Sequence, residues 1–463
     1  LFRSMYRGPH GMLPFIVHQE IIDIKGSTPI TFIVKETRHG PVISDSYARV
    51  KRAIDTNRYA LALRWTALDP ENQSVVGLLE MNRAKDLDSF KAAIHKNYAP
   101  MQNVVMADTD GNIAYQAAGV APKRTLHQGL YGIAPAPGWD PQYDWNGYLP
   151  FDQLPNSSNP EQGWIATANQ AVTALNNPNP LTADWDVPTR YDRIVQLINA
   201  KSTFDLQYMK TMQGDTLSLG ATPLLELFKS SKTTHPLGSK TLDLIQKFDG
   251  NMSVDSPGAL IFNAWADHLT RNVFSRLSYL FFDDYGARNF RYPLIAILQN
   301  PNNPWCDLPK TPALETCAES SNIALDRALE YLSDQYGKDP ASWAWGKAHI
   351  AISEHRPLSK IPVLGKLFNI TTPFPGDSFS INVGRLELNN SSNPYETLQG
   401  PSLRAIYDLS DLEKSLFVYQ TGQSGWIQSN RYRNMNSLWA KNEYLPLQMK
   451  PEKTTRTLEL SNK

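Results

Sequence analysis

Two polar residues of the 463-residue sequence have the type and the setting to act on a substrate, Asn169 and Arg190. Asn169 directly follows the apolar run Trp164-Ile165-Ala166-Thr167-Ala168. A strand there would end in a side-chain amide projecting from the sheet edge, where its N–H groups could donate to an oxyanion developing on a carbonyl. The same position suits an ordinary turn, because Asn tolerates the conformations found at strand ends. Arg190 leads a helical pattern and brings a permanent positive charge with a fork of donors, able to hold the Asn169 amide or a neighbouring backbone group. The competing reading is a surface ion pair with Asp184, Asp186 or Asp192. If Asn169 and Arg190 act together, the loop between them must fold back to bring a strand end beside a helix start.

Other constellations fail on spacing. Gly422-Gln423-Ser424-Gly425 lacks the Gly-x-Ser-x-Gly of a serine nucleophile elbow and reads as a glycine-bounded turn. His349 and His355 stand six apart and no pair stands at i and i+4, which argues against a helical zinc-protease site. His39, between Arg38 and Gly40-Pro41, is expected to be a hydrogen-bonded structural His. Asp108, Asp110 and Asn112 match the start of a calcium loop, but the downstream Gly and bidentate Glu are missing, so the segment reads as a hairpin turn. The sequence has no Gly-rich phosphate loop, fixed-period repeat or low-complexity tract, which excludes kinases, nucleotide-dependent enzymes and solenoids.

The elements that must position such residues belong to a large folded body. Lys and Arg total 45, matched by 45 Asp and Glu, so the electrostatic footprint of a nucleic-acid or anionic-membrane binder is absent. A 41% hydrophobic content supports a sizeable core. The longest apolar stretch, Ala259 to Leu280, is interrupted by Asp267, His268, Arg271 and Arg276 and reads as a buried helix rather than a membrane span. The first residues show neither a signal-peptide apolar region nor a start Met, so the chain is expected to be processed or incomplete at its front. Cys306 and Cys317, 11 apart in a Pro-rich stretch, leave two readings open, unpaired thiols or a bridge; the expectation is a disulfide in an exported protein.

Patterning predicts a sheet-rich front third. Strands are expected at Ile30 to Thr37, Tyr59 to Leu68, Val104 to Ala107, Ile113 to Ala118 and Gly163 to Ala168, with an aromatic, Pro-rich excursion over Pro122 to Pro160. Helices are expected at Arg190 to Ala200, Thr203 to Gln213, Leu224 to Lys229, Lys240 to Phe248, Gly258 to Leu280 and Asn322 to Tyr336, before short strands and loops return from Trp343. The organisation read from this is a sheet-rich core over 1–187 and 343–463 with a mainly helical region at 188–342.

Several short segments, in order over almost the whole chain, resemble the penicillin acylase family. They are Thr37-Arg38-His39-Gly40-Pro41-Val42, Leu63-Arg64-Trp65-Thr66, Gln102-Asn103-Val104 with Gly111-Asn112-Ile113, and Ala166-Thr167-Ala168-Asn169. Arg190-Tyr191-Asp192-Arg193-Ile194, Trp343-Ala344-Trp345-Gly346-Lys347-Ala348-His349, Gly376-Asp377, Gly400-Pro401-Ser402-Leu403-Arg404, Gly422-Gln423-Ser424-Gly425 and Glu443-Tyr444-Leu445-Pro446-Leu447 continue the series.

The resemblance implies an α+β fold, the αββα sandwich of N-terminal-nucleophile hydrolases with a helical region inserted, its first strands missing from this chain. It implies hydrolysis of a linear amide of an acylated small molecule through a serine acyl-enzyme. In the family the β chain opens with that serine, whose own α-amino group is the general base. It also implies a partner, a small α chain cut from the same precursor, and a periplasmic or secreted bacterial location. By the same resemblance Asn169 donates to the oxyanion and Arg190 orders that site. No catalytic cofactor is implied, and at most one structural calcium ion, for which Asp184 or Asp186 would be this chain's ligand. This sequence departs from the family at its front, where Leu1 and Ser4 do not stand in the Ser-Asn-x-x-Trp setting of the nucleophile. The serine is therefore expected upstream, and the chain alone inactive; the alternative is a catalytically inactive binding module of the same fold.

Overall fold

The computed structural model describes residues 4–47, 50, 54–125, 129–174, 177, 179–277, 290–309, 311–386, 393–450 and 459. It divides into two compact units, one made of 1–167 with 171–185 and the other of 168–170 with 186–463.

The first unit opens with the hairpin β1 (Met5–Gly8) and β2 (Gly11–Pro14). Next, β3 (Ile16–Ile22) pairs antiparallel with β4 (Ile30–Thr37), which pairs with the short β5 (Gly40–Pro41). Helices α1 (Ser74–Met81) and α2 (Leu87–Ile94) follow. Then come β6 (Gln102–Ala107), β7 (Ile113–Ala118), β8 (Pro122–Arg124), β9 (Trp145–Tyr148) and β10 (Asn156–Ser158), with β7 central between β6 and β10. The turn between β6 and β7 closes by its own chemistry. Asp108 accepts from the backbone N–H of Asp110 and Asn112 and from Asn112 Nδ2, and Gly111 takes φ 87°, where a side chain would be strained. The carboxylate is thus occupied within the turn itself. Met106 and Ala114 of this hairpin pack against Ile94 of α2.

Three features of this unit differ from the sequence expectation. Tyr59 to Leu68 is not a strand: it makes one bridge, Ala62 to Val42, and ends in a 3-10 turn, Thr66–Leu68. Its large apolar groups Tyr59, Trp65 and Leu68 are exposed, so the run has no buried face to hold against a sheet. Gly163 to Ala168 is likewise irregular, since its apolar residues find no strand to pair with among the described residues. Helices stand at α1 and α2 where only sheet was read; α2 is started by a capping box in which Asp86 and Ser89 satisfy each other's backbone N–H.

The second unit carries α3 (Thr189–Asn199), α4 (Leu206–Gln213), α5 (Leu225–Ser230), α6 (Gly238–Lys247), α7 (Pro257–Val273) and α8 (Cys317–Tyr336). α7 begins at a Ser256 cap with Pro257 in its first turn and is buried nearly all round, Phe262, Trp265 and Leu269 meeting Leu325 and Leu329 of α8. Each such side chain contributes about 1.5–3 kcal/mol by leaving water. The helix stops at Val273, short of the expected Leu280; residues 278–280 lie outside the described residues. Cys306 and Cys317 are disulfide-bonded and buried in this core, as expected. No helix among the described residues is long and apolar enough to cross a membrane.

The rest of the unit is α9 (Trp345–Ala348), β11 (Ile350–Ser353), α10 (Pro362–Phe368), β12 (Ile370–Pro373), β13 (Arg385–Leu386), β14 (Thr397–Gln399), β15 (Leu403–Ile406), β16 (Leu416–Tyr419), α11 (Asn436–Ala440) and β17 (Leu445–Pro446). They form two sheets, ordered β12-β11-β14-β13 and β15-β16-β17. His349 lies wholly buried between α9 and β11, stacked on Trp345, with Nδ1 2.6 Å from the Phe374 carbonyl and Nε2 3.1 Å from that of Gly384.

Candidate active site

The chain turns at Asn169 with φ 69°, in the left-handed region that Asn enters more easily than most residues. The backbone carbonyl of Asn169 accepts from the Asp186 N–H at 3.1 Å, which closes the excursion between them and delivers the chain to Pro188 and α3. Pro188 and Thr189 start that helix, and Arg190 stands in its first turn. The loop folds back as the sequence required.

The side chains complete the contact. Arg190 Nη2 donates to Asn169 Oδ1 at 2.8 Å and to Asp186 Oδ2 at 2.9 Å, while Asp186 Oδ1 accepts from the Val187 N–H at 2.8 Å. Of the three carboxylates that could have paired with Arg190, the partner is Asp186; Asp184 and Asp192 are exposed. The arginine therefore does both things considered for it. A guanidinium has only donors, so the Asn169 atom facing it must be the carbonyl oxygen, and the orientation of the amide follows from chemistry rather than from the coordinates of two similar atoms. Nδ2 is left with its two N–H groups, and among the described residues no group accepts from them. Asn169 is at once a turn residue by its backbone and an exposed, oriented donor by its side chain.

Electrostatics strengthen that donor. The cation on Oδ1 draws electron density through the conjugated amide and makes the Nδ2 hydrogens better donors. Asp186 and Arg190 are mostly covered, with side chains 9% and 14% exposed, so the pair is less screened than one at the open surface.

One turn along α3, Arg193 forms a two-pronged ion pair with Asp215, Nε to Oδ1 at 3.0 Å and Nη2 to Oδ2 at 2.7 Å. The Asp215 carboxylate raises the Arg193 guanidinium above its usual range. Sequence reasoning singled out neither residue. The i, i+3 spacing of Arg190 and Arg193 was a signal for the first; nothing local points to Asp215.

The remaining candidates are structural. His39 Nε2 lies 3.0 Å from Asp144 Oδ1, and Arg38 grips the same carboxylate with two nitrogens. Burial pushes Asp144 up, but these hydrogen bonds outweigh it and hold the carboxyl below its usual range. Ser424 Oγ accepts from the Trp426 N–H in an irregular turn. For calcium, Asp186 is engaged by Arg190 and Val187, and among the described residues no three His, Cys, Asp or Glu side chains converge.

Comparison with known proteins gives a consistent picture. The family model described as penicillin amidase matches residues 3–456. The acyl-homoserine lactone acylase QuiP of Pseudomonas aeruginosa is 28% identical over 477 residues, covering 95% of this chain and 55% of that protein. The penicillin acylase 2 proenzyme of a Pseudomonas strain is 24% identical, covering 94% of this chain and 54% of its own. The chain thus spans about half the length of the curated relatives it matches. Among solved structures, a thermostable penicillin G acylase from Alcaligenes faecalis matches with TM-score 0.70 and 17% identity, covering 99% of this chain and 84% of that one. That likeness bears out the α+β, N-terminal-nucleophile hydrolase fold expected from the sequence.

Proposed function

The chain belongs to the penicillin amidase family, and we propose that it is part of an amidohydrolase that cleaves the linear amide of an acylated small molecule. The observation that carries the reading is the Arg190–Asn169 contact, which fixes the amide with Oδ1 held and Nδ2 presented. In the proposed reaction a serine hydroxyl, supplied by a segment outside these 463 residues, attacks the substrate carbonyl. The oxygen of the tetrahedral intermediate gains negative charge and accepts from Asn169 Nδ2. Collapse expels the amine and leaves an acyl-enzyme, which water hydrolyses to the free acid and the serine. A preorganised amide donor aimed at that charge is typically worth about 3 kcal/mol of barrier. The Arg190 charge lies behind the donor rather than on the substrate, so its effect is on the strength and aim of the amide.

The names of the relatives suggest the substrates. N-acyl-homoserine lactones are the first class to test, with penicillins the second, since relatives of both descriptions match over nearly the whole chain. The small α chain of the same precursor and a periplasmic or secreted location belong to this reading as the setting in which the serine would be generated. Incubation of the complete protein with both substrate classes, followed by mass spectrometry, tests it. Release of a fatty or side-chain acid together with the free amine is expected; binding of acylated ligand without release would favour the inactive binding module.

A further inference from the structure

We infer that Arg193 and Asp215 are positioning residues for this site, a clamp that fixes α3 so that Arg190 holds the Asn169 amide at the correct angle; the inference rests on the reading of Asn169 as the oxyanion donor. Arg190 and Arg193 are three apart on one helix, hence neighbours along its surface. Arg190 reaches toward Asn169, whereas Arg193 reaches to Asp215, just beyond the end of α4. The two arginines thus tie adjacent points at the start of α3 to two different segments, the turn at Asn169 and the chain after α4.

The Asp215 side of the clamp is anchored in the buried part of the second unit. The Asp215 carbonyl accepts from the Asn382 N–H at 2.9 Å, and Asn382 Oδ1 accepts from buried Arg404 Nη2 at 2.6 Å. Ser218, three residues beyond Asp215, donates to buried Asp377 at 2.6 Å. Asp377 in turn accepts from the Phe379 and Ser380 N–H groups. The segment around Asp215 is therefore tied to a largely buried loop whose polar groups are held by hydrogen bonds. A bidentate guanidinium–carboxylate pair transmits this rigidity because two parallel hydrogen bonds fix orientation as well as distance. Without it α3 would remain folded by its own hydrogen bonds but could rotate by a few degrees. Displacements below an ångström at a donor are costly when that donor must meet a developing charge.

The test is a double-mutant cycle in the complete, processed protein with a chromogenic acyl amide. Arg193→Met keeps the length of the stem and removes the fork; it should lower kcat about 5–20-fold with KM changed less than about twofold. Arg193→Lys restores the charge but not the fork and should recover only part of the loss. The decisive comparison is made in the Asn169→Ala background, where Arg193→Met should have almost no further effect, because the donor it aims is gone. If Arg193→Met lowers kcat equally with and without Asn169, or leaves kcat unchanged, the clamp is a stability element only and the inference is overturned, while Asn169 keeps its role. If Asn169→Ala alone leaves kcat near normal, the proposed function of Asn169 fails and this inference falls with it. Should Arg193→Met fold poorly, Asp215→Asn, which keeps the shape and one hydrogen bond, carries the same comparison.

Discussion

The Arg190 guanidinium donates from a single nitrogen to both Asn169 Oδ1, at 2.8 Å, and Asp186 Oδ2, at 2.9 Å. One atom thus joins an amide that could act on a substrate to a carboxylate that steadies the arginine. Asp186 is closed on the other side by the Val187 N–H, and its own N–H binds the Asn169 carbonyl. The result is a small ring of contacts in which the strained backbone of Asn169, at φ 69°, is held in place by its neighbours.

This ring predicts an order of effects at Arg190. Arg190→Ala in the complete protein should lower kcat about 10²-fold, since the amide loses both its anchor and its polarisation. Arg190→Lys should lose less, about tenfold, because an ammonium supplies charge without the planar geometry. Steady-state kinetics with circular dichroism as a folding control measure both; equal losses for the two variants would mean that charge plays no part.

The buried His349 predicts a pH dependence of stability. Burial lowers its pKa to about 4, although the Phe374 and Gly384 carbonyls work the other way. A folded-state pKa below the unfolded value of about 6.5 means that the unfolded chain takes up the proton first. The stability contributed by the neutral ring is complete above pH ~6.5 and is lost as the pH falls toward about 4. The loss amounts to roughly 3 kcal/mol over that window. Denaturant melts at steps between pH 7 and 4 should show this fall, and His349→Gln should flatten it; an unchanged slope in the variant would assign the acid sensitivity to carboxylates.

The disulfide predicts a stability change without a change in the site. Replacing both Cys306 and Cys317 by Ser opens a loop of 11-residue separation and should cost on the order of 3 kcal/mol on the loop-entropy argument. Urea midpoints measure this. Turnover at a temperature where both forms are folded should be unaltered, because the pair lies in the helical core of the second unit, packed with α7 and α8.

What the sequence revealed follows the range of the interactions concerned. The strand Ile30–Thr37 was read to the residue and the helix beginning at Thr189 to within one, since alternation, periodicity and a preceding Pro are local signals. Asn169 and Arg190 stood out because one ends an apolar run and the other leads a helix. The strand expected before Asn169 is not there, because apolar residues alone supply no pairing partner. The Asp186 contact was one of three alternatives, and spacing did not choose among them. The contact of Asp215 with Asn382 was beyond reach: the two meet only when segments 167 residues apart pack together, and a polar residue gives no sign of such a partner in its own neighbourhood.

The most direct test of the account is the kinetic consequence of Asn169→Ala in the complete protein. Asn169 is exposed and packs against little, so the variant should still fold, with a stability loss of about 1–2 kcal/mol because Ala is strained at φ 69°. The amide is proposed to meet charge that exists only in the transition state, so kcat should fall about 10²–10³-fold while KM changes little. A folded variant with near-normal kcat would contradict the account and leave Asn169 an ordinary turn residue.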